Sequence, residues 1–186
     1  RMDGDQVVSL VIKAVSLLKY AKEKKGVNNL KKSILLINKP ELEDFVFDGF
    51  VLQRQFQDSQ IPKHLHHVGA ILMKMDLKEI RESWSAEMKH YDDVVRLKES
   101  QKRVMKEIAD SIGRTGAGIV FIASPQMDEL LFSDLLVKNI LPIPVSHEEL
   151  LTIAYAFGMQ VIRRKEDIER GEVVTLKSMS YDEEKG

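Results

Sequence analysis

The sequence contains no cysteine. Disulfides, thiolate nucleophiles and cysteine-based zinc sites are therefore excluded. Long apolar runs are also absent, because no stretch approaches the roughly 18 residues that a transmembrane helix needs. The N-terminal residues RMDGDQ lack the charged-then-apolar pattern of a signal peptide. These absences lead us to expect a protein of a reducing, cytoplasmic compartment without a membrane span.

An excess of charge of either sign is missing as well. The 28 Lys and Arg residues are balanced by 29 Asp and Glu residues, which leaves a net charge of −1. Nothing in this balance favours a nucleic-acid partner or an anionic membrane surface. What is present, 186 residues of which 44% are apolar and 31% charged, is typical of a folded domain.

The spacing of apolar residues predicts an α/β fold. The first half contains an amphipathic helix, three short strands and a charged, glycine-free region that predicts one or two helices, at residues 5–24, 33–37, 45–52, 68–75 and 78–111. Strands then alternate with helices, at residues 117–123, 127–139, 141–145, 147–157 and 159–163. Ser146 and Glu149 have the spacing of a capping box. This order predicts a layered sheet flanked by helices.

Three sequence patterns bear on whether the chain has a phosphate-binding, metal or catalytic site. The glycine-rich run GRTGAG at residues 113–118 follows a helix and precedes a strand, the reverse of a dinucleotide-binding turn, so it predicts a helix stop. The histidines of KHLHH, at positions 64, 66 and 67, are predicted to be exposed loop residues rather than metal ligands. No nucleophile lies beside a plausible base, since the motifs GxSxG, HExxH and SxxK are absent, and we therefore predict no catalytic site and no metal site.

The order of the elements resembles the apical domain of group II chaperonins, the family of the archaeal thermosome and the eukaryotic cytosolic chaperonin. The resemblance is carried by LEDFVFDGFVLQR, then IPKHL, then the strand GAILM. It continues with Gly116-Ala117 before a strand and with ELLTIA followed by Phe157-Gly158. The first helix, VVSLVIKAV, is similar to the family's intermediate-domain helix. Residues 76–98 depart from the family's usual sequence, and a GDGTT-type nucleotide-binding loop is absent.

The resemblance implies a domain layout and a function. Residues 1–26 would be a partial intermediate-domain helix, 27–171 the apical domain with a helical protrusion at about 76–106, and 172–186 a return segment. Such a domain binds non-native polypeptides for ATP-dependent folding by a ring of subunits. The chain itself would be no enzyme and hold no cofactor, because ATP and Mg would bind the equatorial domain of a full-length chaperonin.

The resemblance also implies a binding groove, between the helix after the GA strand and the loop before the protrusion. The implied substrate-binding residues are Phe56, Gln57, Ser59, Gln60, Ile61, Met127, Leu130, Leu131, Asp134, Leu135 and Lys138. Because a helix on a sheet must bury one stripe, we expect Leu131 and Leu135 to divide between groove and core.

Two other functions stay open at this point. The same fold could serve as an interaction or regulatory domain of a larger protein such as a lipid kinase. A small α/β enzyme is the other possibility, and it would need a pocket with convergent polar groups. Trp84 and Tyr91 are seven residues apart on a predicted charged helix, a spacing that fits either a small contact with the domain or an apolar docking spot.

Overall fold

The computed structural model describes residues 7–16, 49–52, 62, 64–75, 91–124 and 128–180, and within 91–124 it describes side chains only from residue 98. The chain divides into two compact units, Arg1–Leu52 and Gln53–Gly186. The predicted strand at 33–37 and the possible docking spot at Trp84 and Tyr91 lie outside the described residues and side chains. The domain boundaries at 26, 171 and 172 stay predictions.

The first unit contains helix α1 at residues 7–16, inside the predicted helix. Five of its apolar side chains are between 45% and 61% exposed, namely Val7, Val8, Val11, Ile12 and Val15. The described residues 49–52 have no regular structure, so the prediction of a strand that reaches Leu52 is wrong. Gly49 interrupts the apolar run there, and glycine weakens a strand because it gains no side-chain packing.

The second unit alternates strands with helices, as predicted. Its elements are β1 (His64–Lys74), α2 (Tyr91–Arg114), β2 (Ile119–Ala123), α3 (Glu129–Val137), β3 (Leu141–Pro144), α4 (His147–Phe157), β4 (Val161–Ile162), a 3-10 helix (Lys165–Arg170) and β5 (Val174–Ser180). The Ser146 hydroxyl accepts from Glu149 N, and the Glu149 carboxylate accepts from Ser146 N, which confirms the capping box of α4. Gly158 ends α4 in the left-handed conformation.

These strands form one five-stranded sheet. Four run parallel in the order β3-β2-β1-β4, and β5 pairs with β1 in the antiparallel sense. Pairing of β1 with β5 extends from Ala70 opposite Val174 to His64 opposite Ser180. Two expectations change here: residues 174–180 form a strand that was not predicted, and the three histidines belong to β1 instead of a loop. All three are nevertheless exposed.

The core lies mainly on one face of this sheet. Ile71 and Met73 of β1 pack there with Met105 and Ile108 of α2, and α3 joins the same cluster. Because side chains alternate along a strand, Leu72 points to the opposite face, and α4 contacts β1 and β2. The helices therefore form layers on both sides of the sheet, which confirms the predicted fold class.

The glycine-rich run after α2 is a helix stop, as predicted. Thr115 N donates to Ile112 O over 3.0 Å, and Gly116 takes a φ of 75°. Gly118 N then donates to Gly69 O over 2.9 Å, which brings the start of β2 against β1. A side chain at Gly118 would meet Val68 Cγ2 at 2.6 Å. This run therefore serves the packing of two strands.

Candidate functional site

The predicted site that the structure describes lies on helix α3. Asp128 caps the helix, since its Oδ1 accepts from Leu130 N at 3.0 Å and from Leu131 N at 3.2 Å. At the other end, Ile140 N donates to Leu135 O over 3.0 Å. Both ends of this nine-residue helix thus have local hydrogen-bond partners.

Leu131 and Leu135 hold α3 on the core. Both side chains are 0% exposed and belong to the cluster with Met105, Ile108 and Ile112 of α2. The expectation that they divide between groove and core is therefore wrong. The physical reason is their spacing: residues four apart share one helix face, so the same packing covers both.

A second apolar stripe of α3 remains at the surface. Leu130 is 46% exposed and Val137 is 80% exposed. These two residues are seven apart and so share a helix face, with the half-buried Asp134 between them. We call Leu130, Asp134 and Val137 the α3 stripe. Val137 was missed as a site residue, although its spacing from Leu130 was a visible signal.

Lys138 makes an ion pair instead of a free contact. Its Nζ lies 2.7 Å from Asp110 Oδ1 of α2, and both side chains are about one-third exposed, at 34% and 36%. The hydrogen bond from Lys138 is the main reason that the pKa of Asp110 is lowered, although partial desolvation opposes the shift. Lys138 thus connects the end of α3 to α2.

The loop side of the predicted groove cannot be compared with α3. Phe56, Gln57, Ser59, Gln60 and Ile61 lie outside the described residues, and so does Met127. The structure therefore brings together only the α3 members of the predicted set. Their side chains separate into a buried pair, an exposed stripe and one ion-paired lysine.

Chemistry of another kind has little support in the described part of the chain. An open depression of about 490 Å³ is lined by Ser111, Lys165, Glu166, Glu169 and Arg170. Two of its charged residues pair with α2: Glu169 accepts from Arg114 at 2.6 Å, and Lys165 pairs with Glu107. Within the described ranges no three His, Asp or Glu side chains cluster as metal ligands.

The helices that the structure describes include none that is long and apolar enough to cross a bilayer. The depression beside Ser111 is an open surface feature between α2 and the 3-10 helix.

Comparison with known proteins shows what this chain is similar to. The chain is similar to a thermosome subunit of Methanopyrus kandleri, with 25% identity over 190 residues that cover 96% of this chain and 34% of the relative. It also resembles the open-state monomer of a group II chaperonin from Methanococcoides burtonii, with 14% identity, a TM-score of 0.48, and coverage of 72% of this chain and 27% of that one. The chain thus spans about a third of the curated relative's length. The model of the TCP-1/cpn60 chaperonin family matches residues 1–186, and the chain therefore belongs to that family.

Proposed function

We propose that this chain is a substrate-binding apical domain of a group II type chaperonin, which binds non-native polypeptides through the α3 stripe. The observation that carries this proposal is that helix α3 packs on the core through one face and exposes apolar side chains on another. Leu131 and Leu135 are fully buried, whereas Leu130 and Val137 are 46% and 80% exposed on the same helix.

The stripe has the character expected of a protein-binding surface. Apolar anchors supply most of the energy when a partner excludes water from them. The carboxylate of Asp134 between the two anchors adds a polar requirement, which disfavours indiscriminate adhesion of purely apolar chains. The predicted loop partner, Phe56 to Ile61, would form the other wall of a groove.

Folding driven by ATP would take place in a longer protein. This chain spans 34% of the thermosome subunit, so ring assembly and nucleotide chemistry are proposals about that longer protein. A regulatory domain of a lipid kinase is not favoured, because the chaperonin family model matches residues 1–186 and the thermosome subunit is similar over 96% of this chain.

The test compares exposed and buried positions of one helix. Leu130→Ala and Val137→Ala should leave the melting temperature nearly unchanged, because surface truncations usually cost less than about 0.5 kcal/mol. Each should reduce the capture of a guanidinium-unfolded test protein, since exposed anchors contribute about 1–3 kcal/mol to binding.

Tyr155→Ala is the matched control, because Tyr155 is a large apolar side chain that is 64% exposed on α4, away from the α3 stripe. It should change neither melting nor capture. Capture that is equal for wild type, Leu130→Ala and Val137→Ala would show that the α3 stripe does not bind clients.

A further inference from the structure

The outer edge of β3 has an unusual backbone. Among the described residues β3 is the last strand of the sheet on that side, and it reads Leu-Pro-Ile-Pro. Proline has no N–H to donate to a neighbouring strand, so it is confined to edges and strand ends. Two prolines in a four-residue edge strand raise the question of where their missing donors would have pointed.

The backbone hydrogen bonds of β3 show where those donors would point. Leu141 N donates to Gly118 O over 2.9 Å, and Val145 N donates to Ile122 O over 3.0 Å. In a ladder between two strands, alternate residues direct both backbone groups toward the same neighbour. Residues 141, 143 and 145 therefore face β2, whereas Pro142 and Pro144 direct their backbone to the outer edge.

The donors on either side of the prolines are occupied as well. Ile140 N donates to Leu135 O over 3.0 Å, at the end of α3. Ser146 N donates to Glu149 Oε2 over 2.6 Å, within the capping box. From residue 140 to residue 146, the outward-facing backbone thus has no N–H available to a partner. It offers only carbonyl oxygens.

We propose that Pro142 and Pro144 close this edge to strand addition, both by a second copy of the chain and by extended polypeptides. Pairing of a new strand needs donors and acceptors in alternation along the edge. The edge of β3 lacks every donor of such a ladder. Because β3 contacts α3, this block lies on a strand that neighbours the helix carrying the α3 stripe.

The consequence for recognition rests on the proposed function. A chain that binds non-native polypeptides meets unpaired strands routinely, and an open edge beside the binding stripe would template their aggregation. With the edge closed, an extended client is held through side-chain contacts on α3 and not through a backbone ladder. The two prolines are then specificity-determining residues of the client surface.

The prolines also contribute to packing, and the experiment must separate this packing role from the closure of the strand edge. Pro142 is buried and Pro144 is half-buried, on the sheet face that carries α2 and α3. Substitution by valine restores the N–H and roughly preserves side-chain volume. The variants to compare are Pro142→Val/Pro144→Val and the milder Pro144→Val, each in the full chain.

The readouts are sedimentation velocity over a concentration series and thioflavin T fluorescence, without any client. Wild type should stay unassociated. The double variant should associate at a concentration about tenfold below the highest concentration at which wild type is still unassociated, because two new inter-chain hydrogen bonds become available. Pro144→Val should shift in the same direction by less.

Ile143→Val is the matched control. It loosens the same strand, but its N–H faces β2 and the outer edge stays without donors. If Ile143→Val associates as strongly as the double variant, lost stability is the cause and the inference is overturned. It is overturned equally if folded Pro144→Val behaves as wild type does, a result that remains decisive when the double variant fails to fold.

This outcome is independent of client capture. If the proline variants associate while wild type captures no unfolded protein, the block stands and the proposed function fails. If capture depends on the α3 stripe but the proline variants stay unassociated, the proposed function stands and the block fails.

Discussion

Lys138 Nζ lies 2.7 Å from Asp110 Oδ1, and this ion pair joins the C-terminal end of α3 to the penultimate turn of α2. Lys138, which was predicted to contact the client, thus links α3 to α2. Two further pairs act on the same part of α2: Lys165 with Glu107, and Arg114 with Glu169. The last two turns of α2 are thus held by charges from α3 and from the 3-10 helix.

The first prediction concerns this link. Lys138→Met should lower the melting temperature slightly and should leave capture of unfolded protein unchanged, because the ammonium group is engaged with Asp110 and lies outside the α3 stripe. The charge reversal Lys138→Glu should lower it further, since two carboxylates would then face each other. Combination with Asp110→Lys should recover most of that loss. Thermal melts of wild type and these three variants in low salt and in 1 M NaCl provide the measurement.

Two results would contradict this role for Lys138. One is a capture defect in Lys138→Met at full stability, which would return the lysine to the client surface. The other is an equal melting temperature for Lys138→Glu with and without the compensating Asp110→Lys.

The second prediction concerns acid stability. Hydrogen bonds from Lys165, Lys138 and Arg114 lower the pKa values of Glu107, Asp110 and Glu169 respectively. A carboxyl group whose folded-state pKa is lowered stabilises the fold above its ordinary pKa, and this stability disappears as the pH falls through the folded-state pKa. The melting temperature should therefore decline on acidification below the ordinary carboxyl range.

The control is the triple variant Glu107→Gln/Asp110→Asn/Glu169→Gln. It should be less stable at neutral pH and should depend less on pH in the acid range. A triple variant whose melting temperature falls with acid as steeply as that of wild type would assign the acid sensitivity to other carboxyl groups.

The alternating half of the fold could be predicted because its signals are local. The run IVFIA is a continuous apolar strand, and Ser146 with Glu149 marks the start of α4 within four residues. Strand β5 gave no such signal. Its buried Leu176 lies among exposed polar residues, and the strand exists because it pairs with β1, more than a hundred residues earlier. Such pairing depends on tertiary structure, not on local pattern.

The candidate site, like the fold, could be predicted only where the signal is local. Four leucines on α3 were visibly more than one stripe requires, so a surplus apolar surface could be predicted. Which leucines are buried depends on the angle at which α3 meets α2, and this angle follows from the packing of Met105 and Ile108. The ion pair of Lys138 depends on the same angle. Neither could be read from spacing.

The third prediction concerns the capping box of α4. Ser146→Ala removes the acceptor of Glu149 N and should cost about 1 kcal/mol of unfolding free energy. Glu149→Gln keeps a side-chain oxygen that can accept from Ser146 N, and it should cost less. Urea denaturation of both variants gives the two values. Equal losses would mean that the charge of Glu149 near the helix N-terminus matters as much as the reciprocal hydrogen bonds.

The fourth prediction uses two glycines that lie three residues apart. Gly116 has a φ of 75°, and nothing lies within 4 Å of the site where a Cβ would be added. Gly116→Ala should therefore cost about 1–2 kcal/mol through backbone strain alone. Gly113 lies in the last turn of α2, where a Cβ would meet only Lys138 Cδ at 3.6 Å, an ordinary contact. Gly113→Ala should stabilise the protein by about 0.5–1 kcal/mol, because alanine loses less backbone entropy in a helix. Urea denaturation should thus give changes of opposite sign. Destabilisation by both substitutions would mean that the turn after α2 tolerates no added side chain, and left-handed strain at Gly116 would then not be the cause.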